Sequence, residues 1–129
     1  MQLSLDAWDG ARVAFQETTD PGLRQVLDAV GHLDGTVHTE VSLKRDDPFE
    51  YLTISGGPDF FVVSGEARDE ALVRLTSPDA PEGTVELTCG GQVSTFDLHD
   101  VVPRHKIESA VEQFFAGLSA NLPGPWVVE

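Results

Sequence analysis

The sequence predicts an α+β fold, a mostly antiparallel sheet of about seven to eight strands with two helices packed on it. Three observations carry that expectation. Apolar and polar residues alternate over many short runs, the period of a half-buried strand. Asp-Gly, Gly-Gly and proline-containing turns separate those runs, as hairpins require. Only two segments, one early and one late, repeat their apolar residues at helical spacing. Strands joined by tight turns, with helices on one side, make a sandwich of sheet and helix.

The elements follow in order. "QLSLDAW" puts Leu3, Leu5 and Ala7 on one face and Ser4 and Asp6 on the other. Asp9-Gly10 is the expected turn, and "ARVAFQ" sets Val13 and Phe15 on one face of a second strand. In "TTDPGLRQVLDAVGHL", Asp20 is the expected N-cap and Pro21 the first helical position. Leu23, Val26, Leu27 and Val30 form the buried stripe, and Gly31 is the stop. "TVHTEVSLK" alternates again, with Val37, Val41 and Leu43 inward and His38, Glu40 and Ser42 outward.

"RDDPFE" is a turn, since adjacent acids repel and proline breaks regular structure. "YLTIS" and "FFVVSG" are strands joined across "GGPD", and "EALVRLTS" is another before the loop "PDAPEG". "TVELTC" and "QVSTFDL" are joined by Gly90-Gly91, which suits a turn with positive φ at both centres. "VVPRHKIESAVEQFFAGLSA" carries the second helix, on the stripe Ile107, Ala110, Val111, Phe114, Phe115 and Leu118, with Gly117 weakening its end. In the closing "NLPGPWVVE", Pro123 and Pro125 forbid helix and force an extended path. Trp126, Val127 and Val128 then read as a docked terminal strand; the alternative is an exposed Trp126 that anchors a partner.

Composition bounds the function. The 129 residues fit one domain, 1–129, large enough for a core. One cysteine, Cys89, allows no internal disulfide and no thiolate cluster, which suits a reducing cytoplasm. "MQLSLDAWDG" has no basic and apolar leader pattern, and no run approaches the ~20 apolar residues of a membrane span. With 22 acids against 8 bases the net charge is −14. That balance disfavours nucleic acid and anionic membranes and favours a basic partner, unless the acidity serves solubility alone.

Catalytic and metal chemistry find no pattern. His32, His38, His99 and His105 lack ligand spacing and read as surface or loop histidines, so no metal or cofactor is expected. Cys89 has inward periodicity and reads as a small core residue. Gly56-Gly57-Pro58 joins two strands and opens no helix, so it is no phosphate loop. No catalytic residue is assigned.

The acids cluster in turns and strand ends. "RDDPFE" holds Asp46, Asp47 and Glu50, "GEARDE" holds Glu66, Asp69 and Glu70, and "PDAPEG" holds Asp79 and Glu82; Asp59 lies in "GGPD". If these loops gather on one edge they form an anionic platform, with Phe49 and Tyr51 as aromatic anchors. Otherwise turn residues are simply often acidic.

"YLTISGGPDFFVVSG" followed by "VVPRHKIESAVEQFFAGLSANLPGPW" resembles the first-numbered Imm family of immunity proteins from bacterial polymorphic toxin systems. The matching residues are Ile54, Gly56 and Gly57, then Ala110 with Phe114 or Phe115, then Gly117, Pro123 and Trp126. The resemblance implies structural roles for Gly56, Gly57, Phe114, Pro123 and Trp126. It further implies a cytoplasmic, non-catalytic protein that binds a cognate toxin, often a nuclease or deaminase with a basic cleft, and blocks its active or substrate site. A small-molecule-binding or enzymatic α+β domain, marked by a pocket with a convergent His and acid such as His99 with Asp100, is the alternative. A secretion chaperone or adaptor with an apolar groove is a third reading.

Overall fold

A computed structural model describes residues 1–118 and 125–129. The strands are β1 (Gln2–Asp9), β2 (Arg12–Thr19), β3 (Glu40–Asp46), β4 (Phe49–Gly56), β5 (Phe60–Glu66), β6 (Leu72–Leu75), β7 (Thr84–Cys89), β8 (Gln92–Asp97), β9 (Val102–Pro103) and β10 (Trp126–Val128). The helices are α1 (Leu23–Gly31) and α2 (Ile107–Ala116). The main sheet runs β10-β6-β5-β4-β3-β1-β2, with the short β9 paired to β5, and β7–β8 form a separate hairpin. All pairings are antiparallel. The fold is therefore α+β.

Strand alternation builds the core. Leu3 and Leu5 lie opposite Leu43 and Val41, which lie opposite Leu52 and Ile54, and Val63 continues the row. All are buried, together with Phe61, Val73 and Leu75. The helices close this face with Val26, Ala29 and Val30 from α1 and Ile107, Ala110, Val111 and Phe114 from α2. Each of the larger side chains among them contributes roughly 1.5–3 kcal/mol by leaving water.

Local hydrogen bonding moves several boundaries. Asp20 does not cap α1: it sits at φ 51°, its N–H donates to Met1 O, and its carboxylate meets the N-terminal ammonium at 3.2 Å. Gly22 is the cap residue, and its N–H donates to Gln25 Oε1 at 2.9 Å. Val37 is not inward. Asp34 Oδ1 accepts from the N–H groups of Thr36, Val37 and His38, which curls the chain and leaves Val37 exposed before β3 begins. Val13 and Phe15 do share a face, but it is the one turned away from the helices. Gly117 ends α2 at its C-cap.

The face opposite the helices is partly roofed by β7–β8. Gly90 and Gly91 have φ 57° and 81°, the turn their pairing predicts. Gly91 N–H donates to Thr39 Oγ1 at 3.0 Å, and a Cβ at Gly91 would run into the Trp8 indole. Beneath this roof lies Asp6, outward by alternation yet only 3% exposed. Its carboxylate accepts from Trp8 Nε1, Thr39 N, Thr39 Oγ1 and Glu40 N at 2.5–3.0 Å, so the buried acid is fully partnered.

The tail docks. Trp126 pairs with Leu75 across β6–β10, is 8% exposed, and donates Nε1–H to Gln113 Oε1 at 2.7 Å. Phe114 is fully buried. Gly57 has φ 95° and packs so closely on Leu33 O that a side chain has no room. Gly56 is buried and its N–H bonds Thr39 O. Pro123 lies outside the described residues.

Candidate protein-binding site

Strand direction decides which turns meet. Antiparallel neighbours put the β3–β4 turn and the β5–β6 turn at one end of the sheet, and the β4–β5 turn at the other. Asp46, Asp47, Glu66, Asp69 and Glu70 therefore gather at the first end. The loop leaving β6 starts at the second, so Asp79 and Glu82 lie there with Asp59. The three clusters do not form one platform.

At the first end, the outer face carries a continuous row. Lys44 lies opposite Tyr51, Tyr51 opposite Glu66, and Glu66 opposite Leu72. Phe49 precedes Tyr51 on the same face, and their rings meet with centroids 6.0 Å apart. Phe49 and Leu72 are 45% and 44% exposed. The result is an aromatic pair, Phe49 and Tyr51, with Leu72 on the same face beyond the intervening Glu66, and with Asp46, Asp47, Asp69 and Glu70 in the adjoining turns. An exposed Phe49 against a half-buried Tyr51, next to charged turns, has the layout of a protein-recognition surface.

Glu50 is a correction. It was expected among solvent-reaching acids, but it is fully buried. Alternation turns it to the helix face, opposite Arg45 in the β3–β4 ladder. Arg45 Nε lies 2.5 Å and Arg68 Nη2 3.6 Å from Glu50 Oε1, while Leu118 N–H donates to Oε2 at 3.1 Å. Arg45 also donates to Phe114 O and stacks on the Phe114 ring at 4.4 Å. Glu50 thus ties β3 and β4 to the end of α2, and it draws two arginines away from the acidic rim.

The second end is mixed in charge. Arg104 donates to Pro58 O at 2.9 Å, beside Asp59 in the β4–β5 turn. A largely apolar cleft of about 670 Å³ opens here, with Phe60, Leu98 and Val101 on its wall and Asp79, His105 and Lys106 among its polar lining. The expected pairing of His99 with Asp100 does not form. His99 Nδ1 lies 2.8 Å from Asp97 Oδ1, and Asp100 pairs with Arg74 at 2.6 Å. The hydrogen bond to Asp97 raises the His99 pKa, and the reciprocal bonds from His99 lower that of Asp97.

Cys89 is half-buried, and burial together with the nearby Glu40 carboxylate pushes its thiol up to about 11. Such a thiol is almost wholly protonated near neutrality and is a poor nucleophile. Among the described residues no cluster of three His, Cys, Asp or Glu is arranged to hold a metal ion. No described helix is long and apolar enough to cross a membrane.

Sequence reasoning named the aromatic and acidic residues of the first end but missed Leu72, whose exposure follows from its register opposite Glu66. No protein-family model, no curated protein and no solved structure matches the chain.

Proposed function

We propose that this protein is a non-catalytic inhibitor of the immunity type, which binds a basic toxin domain in the cytoplasm of the cell that makes both. The observation that carries the reading is the Phe49–Tyr51 pair, with Leu72 on the same face beyond Glu66, beside the turn acids Asp46, Asp47, Asp69 and Glu70. A toxin that acts on nucleic acid needs a cationic cleft. An anionic rim steers that cleft into encounter, and aromatic anchors hold it once water is expelled. The resemblance to the first-numbered Imm family points the same way. The test is co-expression with the protein encoded by the adjacent gene. Rescue of growth and a stoichiometric complex support the reading; a harmless neighbour that forms no complex contradicts it.

A second reading rests on the cleft at the opposite end. Asp79, His105 and Lys106 border an apolar wall there, the lining of a small-molecule site. Protein-detected NMR with a fragment set separates the two: hits that shift His105 and leave Tyr51 untouched favour it.

A further inference from the structure

The far edge of the sheet is open. β2 is the terminal strand, and among the described residues nothing pairs with its outer side. Asp9 and Arg12 flank the turn as directly opposed partners, and at the other end of the ladder Asp20 N–H donates to Met1 O. Even-numbered residues of β2 therefore direct their backbone groups toward β1. The N–H and C=O groups of Val13, Phe15, Glu17 and Thr19 point away from the sheet. Their side chains share the face that lacks helices, where Phe15 is 59% and Val13 38% exposed.

Soluble proteins blunt such edges with lysine, proline, bulges or short length. β2 runs eight residues, "RVAFQETT", and has none of these devices. Its two charges, Arg12 and Glu17, cancel, on a chain whose net charge is −14. An edge of balanced charge that exposes Val13 and Phe15, on so acidic a molecule, is not built to attract a cation. It is built to meet a surface like itself.

We propose that β2 pairs antiparallel with β2 of a second copy of this chain, joining the two main sheets across a two-fold axis. With Phe15 opposite Phe15 of the second copy, Val13 falls opposite Glu17 and Arg12 opposite Thr18. The outward N–H and C=O groups find partners, and no like charges face each other. The nearest acid of the rim, Asp46 at the end of β3, is two strands away across β1, just beyond about one Debye length at physiological salt, so the rim does not prevent the approach. Each copy keeps its aromatic patch free, so the dimer presents two binding sites. This dimer does not depend on the toxin-binding reading.

Sedimentation velocity of the full chain over about 1–500 μM tests it. The expected result is a rise from the mass of one 14.0 kDa chain to that of two. Phe15→Pro removes an outward N–H that the fold does not use, and Phe15→Lys places a charge at the axis; both are expected to stay at the mass of one chain throughout, with unchanged circular dichroism. If Phe15→Pro loses its fold, Phe15→Lys decides alone. A wild-type chain that stays single at every concentration, or a dimer that persists in the folded variants, overturns the proposal.

Discussion

Phe49 and Tyr51 meet on the outer face of β4 with ring centroids 6.0 Å apart and planes tilted by 53°. They are two residues apart on one strand, and neither is part of the buried core. Such a pair stabilises the monomer little and offers much to a partner. We expect Phe49→Ala and Tyr51→Ala each to weaken the proposed toxin complex by about 2 kcal/mol, through faster dissociation, while the melting temperature changes little. Surface plasmon resonance and calorimetry on the same variants check both halves.

Glu50 is the opposite case. Its carboxylate is out of water and holds Arg45, Arg68 and the Leu118 N–H. Glu50→Ala strands Arg45 against the Phe114 ring. The expected loss is about 3 kcal/mol, the low end for a broken buried pair because Arg45 keeps some solvent contact. Replacing both partners, Arg45→Met with Glu50→Leu, is expected to restore much of it. Urea denaturation of the three chains measures this directly, and equal losses in the single and double variants would remove the ion pair from the account.

Trp126 pins the final strand. Its ring is buried and its Nε1–H bonds Gln113 on α2. Trp126→Phe keeps most of the burial and is expected to cost about 1–2 kcal/mol, whereas Trp126→Ala is expected to cost about 3–5 kcal/mol. Amide exchange across β6 should rise with the larger loss, because β10 is the strand that covers that edge.

The His99–Asp97 pair gives a pH signature. Asp97 raises the His99 pKa above the ordinary 6.5, so its stabilisation is complete below 6.5 and fades as pH rises through the folded value. The Asp97 carboxyl is lowered from 3.8, so its share is present above 3.8 and fades in acid. The pair is thus strongest between those limits. An NMR titration of the His99 ring is expected to show a midpoint above 6.5 that falls back in Asp97→Asn.

Most of the fold is legible in short patterns. Leu3 and Leu5, Val41 and Leu43, and the stripe of α2 announce their buried faces through period alone. Turn chemistry is equally plain at Gly90-Gly91. The illegible parts depend on contacts distant in sequence. Nothing near Asp6 reveals that a hairpin some eighty residues on will donate to Thr39 above it and close that face. Alternation does set Glu50 beside Arg45, but its acidic neighbours in the turn mask that inward role. The candidate site is half legible for the same reason: composition names the acids, and only the strand directions separate Asp79, Glu82 and Asp59 from the rest.

The most direct test of the central claim is the association rate with the basic toxin domain that the proposed function calls for, measured against salt. Charge reversal to lysine at Asp46, Asp47, Glu66, Asp69 and Glu70 is expected to slow association by about 10- to 100-fold at low ionic strength and to flatten its salt dependence. The same reversal at Asp59, Asp79 and Glu82 is expected to change the rate far less. An association rate that ignores the first set, or responds equally to both, contradicts the account.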